Sequence, residues 1–239
     1  RFASTSLGSI WGFLQPFVFM ITYVIVFQYI LKTGSAGNDP YVVWFLPGMA
    51  MWQCINDTVM SASASIRTYS YLVKKVVFPV DIIPIISIIA SSFVALFLFV
   101  VSIVVSCLFN YIPNFLQVIY IIIAAYAFMI SFTRFTSAVT TLVPDFAQLL
   151  GIAMQLFFWF TPVVWNLSML ANHPTILTIM KCMPFNYLVT GFRDAFISSN
   201  IVTEGHYIYT IAFWIITTFM FVWGNYIFKK SKKDFADVL

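Results

Sequence analysis

The side chains able to act as acids, bases, nucleophiles or ligands are sparse in this sequence, and their spacing builds no reaction centre. General acid–base work needs paired carboxylates or a histidine placed at one depth. Asp57, Asp81 and Asp145 form no obvious site of that kind, which argues against a membrane-embedded transferase. His173 and His206 each stand alone and read as polar loop residues. The three cysteines, Cys54, Cys107 and Cys182, lack the paired spacing of a metal site or a disulfide framework. The chain has 9 glycines but no G-x-x-x-x-G-K-[ST] loop to cradle nucleotide phosphates, and no Rossmann fingerprint. No catalytic residue, metal ligand or cofactor is expected in this chain.

Two other kinds of chemistry remain. One is charge gathered beside helix-breakers, in "VKKVVFPVDIIP" from Val73 to Pro84. The other is aromatic surface, with 27 Phe, 12 Tyr and 7 Trp. Phe13, Phe17 and Tyr23 share one apolar run, and Phe157, Phe158, Trp159 and Phe160 end another.

The elements that position these residues follow from composition. The chain is 62% hydrophobic and 8% charged, with mean hydropathy +0.95, against about 25% charged in a soluble domain. No charged residue occurs from Ile82 to Thr133, a run far beyond the roughly 20 residues of a membrane helix. The fold class is an all-α integral membrane protein, because backbone groups in lipid must be bonded internally. Six transmembrane helices are expected, at 10–31, 42–66, 82–108, 115–142, 146–164 and 207–228. With both termini cytoplasmic, nine of the twelve Lys and Arg residues lie inside: Arg1, Arg67, Lys74, Lys75, Arg134, Lys229, Lys230, Lys232 and Lys233. Only Lys32, Lys181 and Arg193 lie outside, as retention of basic loops on the cytoplasmic side requires. The basic tail is also suited to anionic lipid headgroups. The chain opens on Arg1, so a segment ahead of it is expected, and no signal peptide is visible.

Between the last two spans, Pro174 and Pro184 interrupt apolar pieces too short to cross about 30 Å of hydrocarbon. Two short re-entrant helices within 174–198 are expected at the outer end, bordering a cavity or a partner subunit. At the inner end, residues 67–81 read either as an ordinary basic loop or as a short helix lying on the membrane surface. In the helical reading Tyr71, Leu72, Val76 and Phe78 face lipid or protein, Lys74 and Lys75 face water, and Pro79 ends the helix. Asp57 reads either as a lining or subunit-contact residue or as one close enough to the surface to hydrate. Arg134 is placed to snorkel, and Asp145 to pair with it or to cap the fifth span.

Several stretches carry a family resemblance in order along nearly the whole chain. "STSLGSIWGFLQPFVFMITYVIVF" is similar to the opening of the membrane subunits of type-2 ABC exporters, and "FLPGMAMWQCINDTV" resembles their second span. "LVKKVVFPVDIIP" looks like their Lys-x-x-Phe-Pro coupling segment. "VPDFAQLLGIAMQLFFWFTPVVW" resembles their fifth span. "MPFNYLVTGFRDAF" resembles their Asn-Pro-x-x-Tyr...Tyr-Arg-Asp element, with Met183 and Phe192 as departures. The tail "KKDFADVL" is similar to the branch that exports O-antigen, capsular polysaccharide and wall teichoic acid.

The resemblance implies a permease of the bacterial cytoplasmic (inner) membrane. It implies a homodimer with two separate ATP-binding cassette subunits, which hold the ATP and Mg. The cargo implied is a lipid-linked polysaccharide, and no nucleic acid is expected as a partner. Tyr71, Lys74, Lys75, Phe78 and Pro79 become coupling residues against the ATPase. Phe13, Phe17, Tyr23, Phe157, Phe158, Trp159 and Phe160 become candidates to line the channel, where rings stack on sugars. Tyr187, Arg193 and Asp194 become candidates for an outer gate; a local Arg193–Asp194 ion pair is the plainer alternative. A drug or antibiotic exporter with the same architecture is the competing cargo. A secondary transporter would favour internal repeats and broken midplane helices, which are not evident.

Overall fold

The computed structural model describes residues 10–30, 39–75, 79–197 and 207–239, and these form helices and turns only. Among the described residues, four helices are long and apolar enough to cross a membrane. They are Ile10–Gln28, Val80–Leu108, Phe115–Leu142 and Tyr207–Ser231. The first begins as α1, Ile10–Val24, and continues as a π-helical turn, Ile25–Ile30. Next come α2, Tyr41–Thr68, and the short α3, Ser70–Lys75. A 3-10 turn, Val80–Ile82, leads into α4, Ile83–Leu108, whose early Pro84 sits where no helical N–H is needed. The long α5, Phe115–Leu142, and the 15-residue α6, Phe146–Phe160, follow. Two short helices, α7, Pro174–Lys181, and α8, Pro184–Ile197, precede α9, Tyr207–Ser231, and the terminal α10, Phe235–Val238.

Two of the expected spans differ in kind from the other four. α2 has 28 residues, but its second half carries Asn56, Asp57, Arg67 and a series of serines. It is tolerated because α2 is the central post: Phe45, Ile55, Val59 and Ile66 are fully enclosed by neighbouring helices. α6 stops at Phe160 because Pro162 cannot continue it, so Thr161 turns to extended geometry. Its 15 residues rise only about 22 Å at 1.5 Å each.

Turn chemistry fixes the joints. Asn110 takes φ 64° after α4, a left-handed stop that asparagine tolerates. Tyr111 N then donates back to the Ser106 carbonyl at 2.9 Å. The Asn114 side chain caps α5 by accepting from the backbone N–H groups of Leu116 and Gln117. Between helices, small residues permit close approach, as expected where lipid supplies no hydrophobic drive. A side chain at Gly224 of α9 would lie 3.0 Å from the Ser131 carbonyl of α5. Ser63 of α2 and Thr136 of α5 hydrogen-bond at 2.6 Å inside this packing.

Candidate functional site

Three regions hold the polar and aromatic residues in arrangements that packing alone does not demand. The first is built around α3. α2 ends where Tyr69 N donates to the Ser65 carbonyl at 2.9 Å, and Leu72 N donates to Tyr69 O to begin the new turn. Tyr71, Lys74 and Pro79 are exposed. Phe78 lies outside the described residues, and for Lys75 only the backbone is described. Tyr71 shares the exposed face with Lys74, three residues on, whereas Val73 turns in. Val73 meets a cluster of Ile66, Val80, Ile83, Ala138, Phe228 and Phe235, contributed by α2, the 3-10 turn, α4, α5, α9 and α10. A tertiary cluster, not the sequence of a six-residue helix, decides which face is buried.

Charges frame this cluster. Asp81 accepts a hydrogen bond from the Lys232 ammonium, and its other oxygen lies 3.8 Å from Arg134. Arg134 also lies over the Phe228 ring at 5.6 Å. Arg67 donates to the Thr141 carbonyl at 3.1 Å. Arg134 therefore pairs with Asp81. Asp145 is exposed at the start of α6 and makes no capping bond with its side chain. The ends of α2, α4, α5 and α9 are thus tied together beside α3.

The second region is a cleft of about 560 Å³ between α1, α2 and α4. Gln53 donates to both oxygens of Asp57 at 3.1 Å, and Ser61 and Ser91 bridge α2 to α4 at 2.8 Å. Gln15, Phe13, Phe93 and Tyr69 complete its walls. Asp57 therefore stands on a cavity wall, in keeping with the lining reading. Of the aromatic candidates, Phe13 and Phe17 pack edge-on to Phe97 at 5.5 and 6.2 Å. Tyr23 and Phe158 meet at 6.2 Å, and Phe158 is buried against Trp52. Phe157 packs on Phe185 at 4.9 Å. Trp159 and Phe160 are the rings that α6 leaves exposed.

The third region is the end formed by α7 and α8. Arg193 is 4% exposed. Its Nε donates to the Trp44 carbonyl at 2.9 Å, and one terminal nitrogen donates to the carbonyls of Pro162 and Val163 at 2.8 and 2.9 Å. The guanidinium also lies 3.7 Å above the Trp44 ring. It therefore clamps α8 to α2 and to the broken end of α6, where extended backbone leaves carbonyls to satisfy. Gly48 makes the room, since any side chain there would run into the guanidinium. Asp194, beside it, is exposed. Tyr187 is buried too: it stacks on Phe213 at 4.6 Å and shares hydroxyl bonds with Tyr120 at 2.9 Å and Thr210 at 3.2 Å. Trp214 Nε1 donates to the same Tyr120 oxygen at 3.1 Å. A cavity of about 360 Å³ borders this region, touched by Asp39, Lys181, Asn186 and Tyr209.

Sequence reasoning found Arg193 but not its clamp, which spans 149 residues to Trp44. The available signal was Gly48 following Pro47 inside α2, a gap cut beside a kink residue.

The profile of the ABC-2 type transporters matches residues 1–197. The chain belongs to the ABC-2 type transporter family. Among curated relatives of this permease are two proteins from Klebsiella pneumoniae, each named O-antigen export system permease protein RfbA. They are 23% and 21% identical over 244 residues, covering all of this chain and 90% of each relative. A protein of the same name from Myxococcus xanthus is 21% identical over 198 residues, covering 82% of this chain and 75% of the relative. The ABC-2 permease is thus a multi-pass membrane protein whose family role is transport.

Proposed function

We propose that this permease is the transmembrane half of an ATP-driven exporter that moves a lipid-linked polysaccharide outward across the bacterial cytoplasmic membrane. The names of its relatives supply the cargo class. The observation that carries the mechanism is the exposed face of α3, with Tyr71 and Lys74, backed by residues of α2, the 3-10 turn, α4, α5, α9 and α10. Such a helix transmits a push from outside the membrane into several spans at once. These 239 residues hold no phosphate-cradling loop, which supports a push delivered by a separate subunit that binds ATP and Mg.

In this reading six helices span the membrane, with α2 enclosed by its neighbours. Both termini are cytoplasmic, and α7 and α8 form a re-entrant gate at the outer end. Two copies related by a twofold axis, with two ATP-binding subunits, enclose the conduit. Trp159 and Phe160, exposed on α6, face it and offer rings to sugars. Tyr187, Arg193 and Asp194 hold or border the outer gate.

Reconstitution with an ATP-binding subunit that co-purifies with it tests this reading. Proteoliposomes should transfer lipid-linked glycan across the bilayer only with ATP. Transfer of hydrophobic drugs but not of lipid-linked glycan would overturn the cargo, and full transport without any ATP-binding subunit would overturn the mechanism.

A further inference from the structure

We infer that the C-terminal end of α9 is a binding site for an anionic phospholipid. Lys229 and Lys230 hold the headgroup, and an acyl chain lies along Tyr226, Val222 and Phe219. The inference is independent of the cargo and needs only that the chain is a membrane protein.

The first observation is register. Ile208, Ile211, Ile215, Phe219, Val222 and Tyr226 are all exposed. At 3.6 residues per turn they fall within about 100° of the helix circumference. Lys229 and Lys230 continue the same stripe and are exposed as well. The opposite face is closed: Phe213, Thr217, Gly224, Phe228 and Ser231 are buried. One strip of surface therefore changes from aliphatic to tyrosine to ammonium along its length.

The second is dimension. From Ile208 to Tyr226 the strip rises about 27 Å, close to the ~30 Å of bilayer hydrocarbon. Tyr226 then falls at the depth where tyrosine is enriched, and the lysines one turn further on fall among headgroups. Trp223 is exposed beside them. A protein partner at this end would have to share the strip with lipid; a phospholipid fits its apolar and its charged part together.

The third is charge. Among the described residues, the ammonium groups of Lys229, Lys230 and Lys233 have no ion-pair partner, whereas Lys232 of the same turn is bonded to Asp81. Asp234 follows, exposed. The two carboxylates offset only part of four lysines, so a positive excess remains where the strip ends. Docking of the tail keeps that excess in place: Phe235 is buried against Phe228, so the basic turn is anchored on both sides.

Native mass spectrometry tests the site on the full chain, released from micelles doped with equal phosphatidylglycerol and phosphatidylcholine of matched acyl chains. Phosphatidylglycerol adducts should exceed phosphatidylcholine adducts at least tenfold. Lys229→Gln alone should cut that preference about fivefold, the usual contribution of one lysine near an anionic headgroup. Lys229→Gln with Lys230→Gln should bring the two lipids within about twofold of each other, and Lys229→Arg with Lys230→Arg should keep the parent preference. Lys74→Gln, on the exposed face of α3, should leave it unchanged. An equal loss in Lys74→Gln would show attraction by net charge alone and overturn the site. An unchanged preference in the double glutamine variant would overturn it too. Displacement of the lipid by soluble glycerol phosphate at equal concentration would leave the apolar strip without a role and do the same. If the double glutamine variant keeps its lipid preference but loses capture of a co-purifying ATP-binding subunit, the lysines belong to a protein contact and the lipid site is refuted.

Discussion

At the scale of single residues, Arg193 is the position where most depends on one side chain. A guanidinium at 4% exposure is tolerated because carbonyls of Trp44, Pro162 and Val163 accept its hydrogens and the Trp44 ring covers its face. Arg193→Met fills much of the space but strands those carbonyls, each costing ~1–3 kcal/mol when buried and unpaired. The contributions do not simply add, so a loss of about 3 kcal/mol is expected. That corresponds to a fall of roughly 6–12 °C in the melting midpoint of a chain this size, measurable in detergent by intrinsic tryptophan fluorescence. Arg193→Lys should recover little, because one ammonium cannot reproduce a planar fork. Gly48→Ala should approach the same loss from the other side of the contact. A smaller effect belongs to Tyr111, whose hydroxyl donates to Asp39 at 2.8 Å in the turn between α4 and α5. That bond holds the Tyr111 pKa above its usual value. The contribution is present below the ordinary tyrosine pKa of about 10 and is lost as pH rises through the higher folded value. A melting-point profile across that range should flatten in Tyr111→Phe.

At the scale of elements, two forces hold the tail against the region around α3, and magnitudes decide between them. The Asp81 and Lys232 side chains are 34% and 39% exposed, and exposed ion pairs contribute about 0–1 kcal/mol. Phe235 is 1% exposed and meets Phe228 edge-on at 5.7 Å, and truncating a buried Phe costs about 3–5 kcal/mol. Limited proteolysis should therefore release the C-terminal residues in Phe235→Ala and leave Lys232→Ala nearly as resistant as the parent. On the outer face of α3, Lys74→Glu should lower co-purification with the ATP-binding subunit at least tenfold while membrane insertion is unchanged. Unchanged assembly would show that α3 is not the contact.

The same elements show what the sequence makes legible. Long uncharged runs, Asn114 as a cap and Pro84 at a helix start act locally, so α4 and α5 can be read from residues a few positions apart. α6 is shorter than its apolar run because Pro162 ends it before the hydrophobicity does. The buried face of α3, the Arg134–Asp81 pairing and the Arg193 clamp depend on partners dozens of residues away. A single sequence holds no record of those distances.

At the scale of the molecule, charge divides the structure into two ends. Arg67, Asp81, Arg134 and Lys232 meet near α3. Arg193 lies over Trp44, and Lys181 lies 5.6 Å from the ring of Tyr209, at the end formed by α7 and α8. Between them run apolar surfaces such as Phe93, Leu96 and Val100 of α4 and Ile211, Ile215 and Phe219 of α9, all exposed in the isolated chain. A bilayer covers those surfaces, and in the proposed orientation the excess of Lys and Arg keeps the α3 end in the cytoplasm. The prediction is decisive because ATP is available on that side only. In a background with Cys54, Cys107 and Cys182 replaced by Ala, a membrane-impermeant maleimide should label Lys181→Cys in intact cells. Lys74→Cys should react only after the membrane is permeabilised. The reverse pattern would place α3 beyond the reach of any nucleotide-driven partner. It would then fail as a lever however well its neighbours brace it.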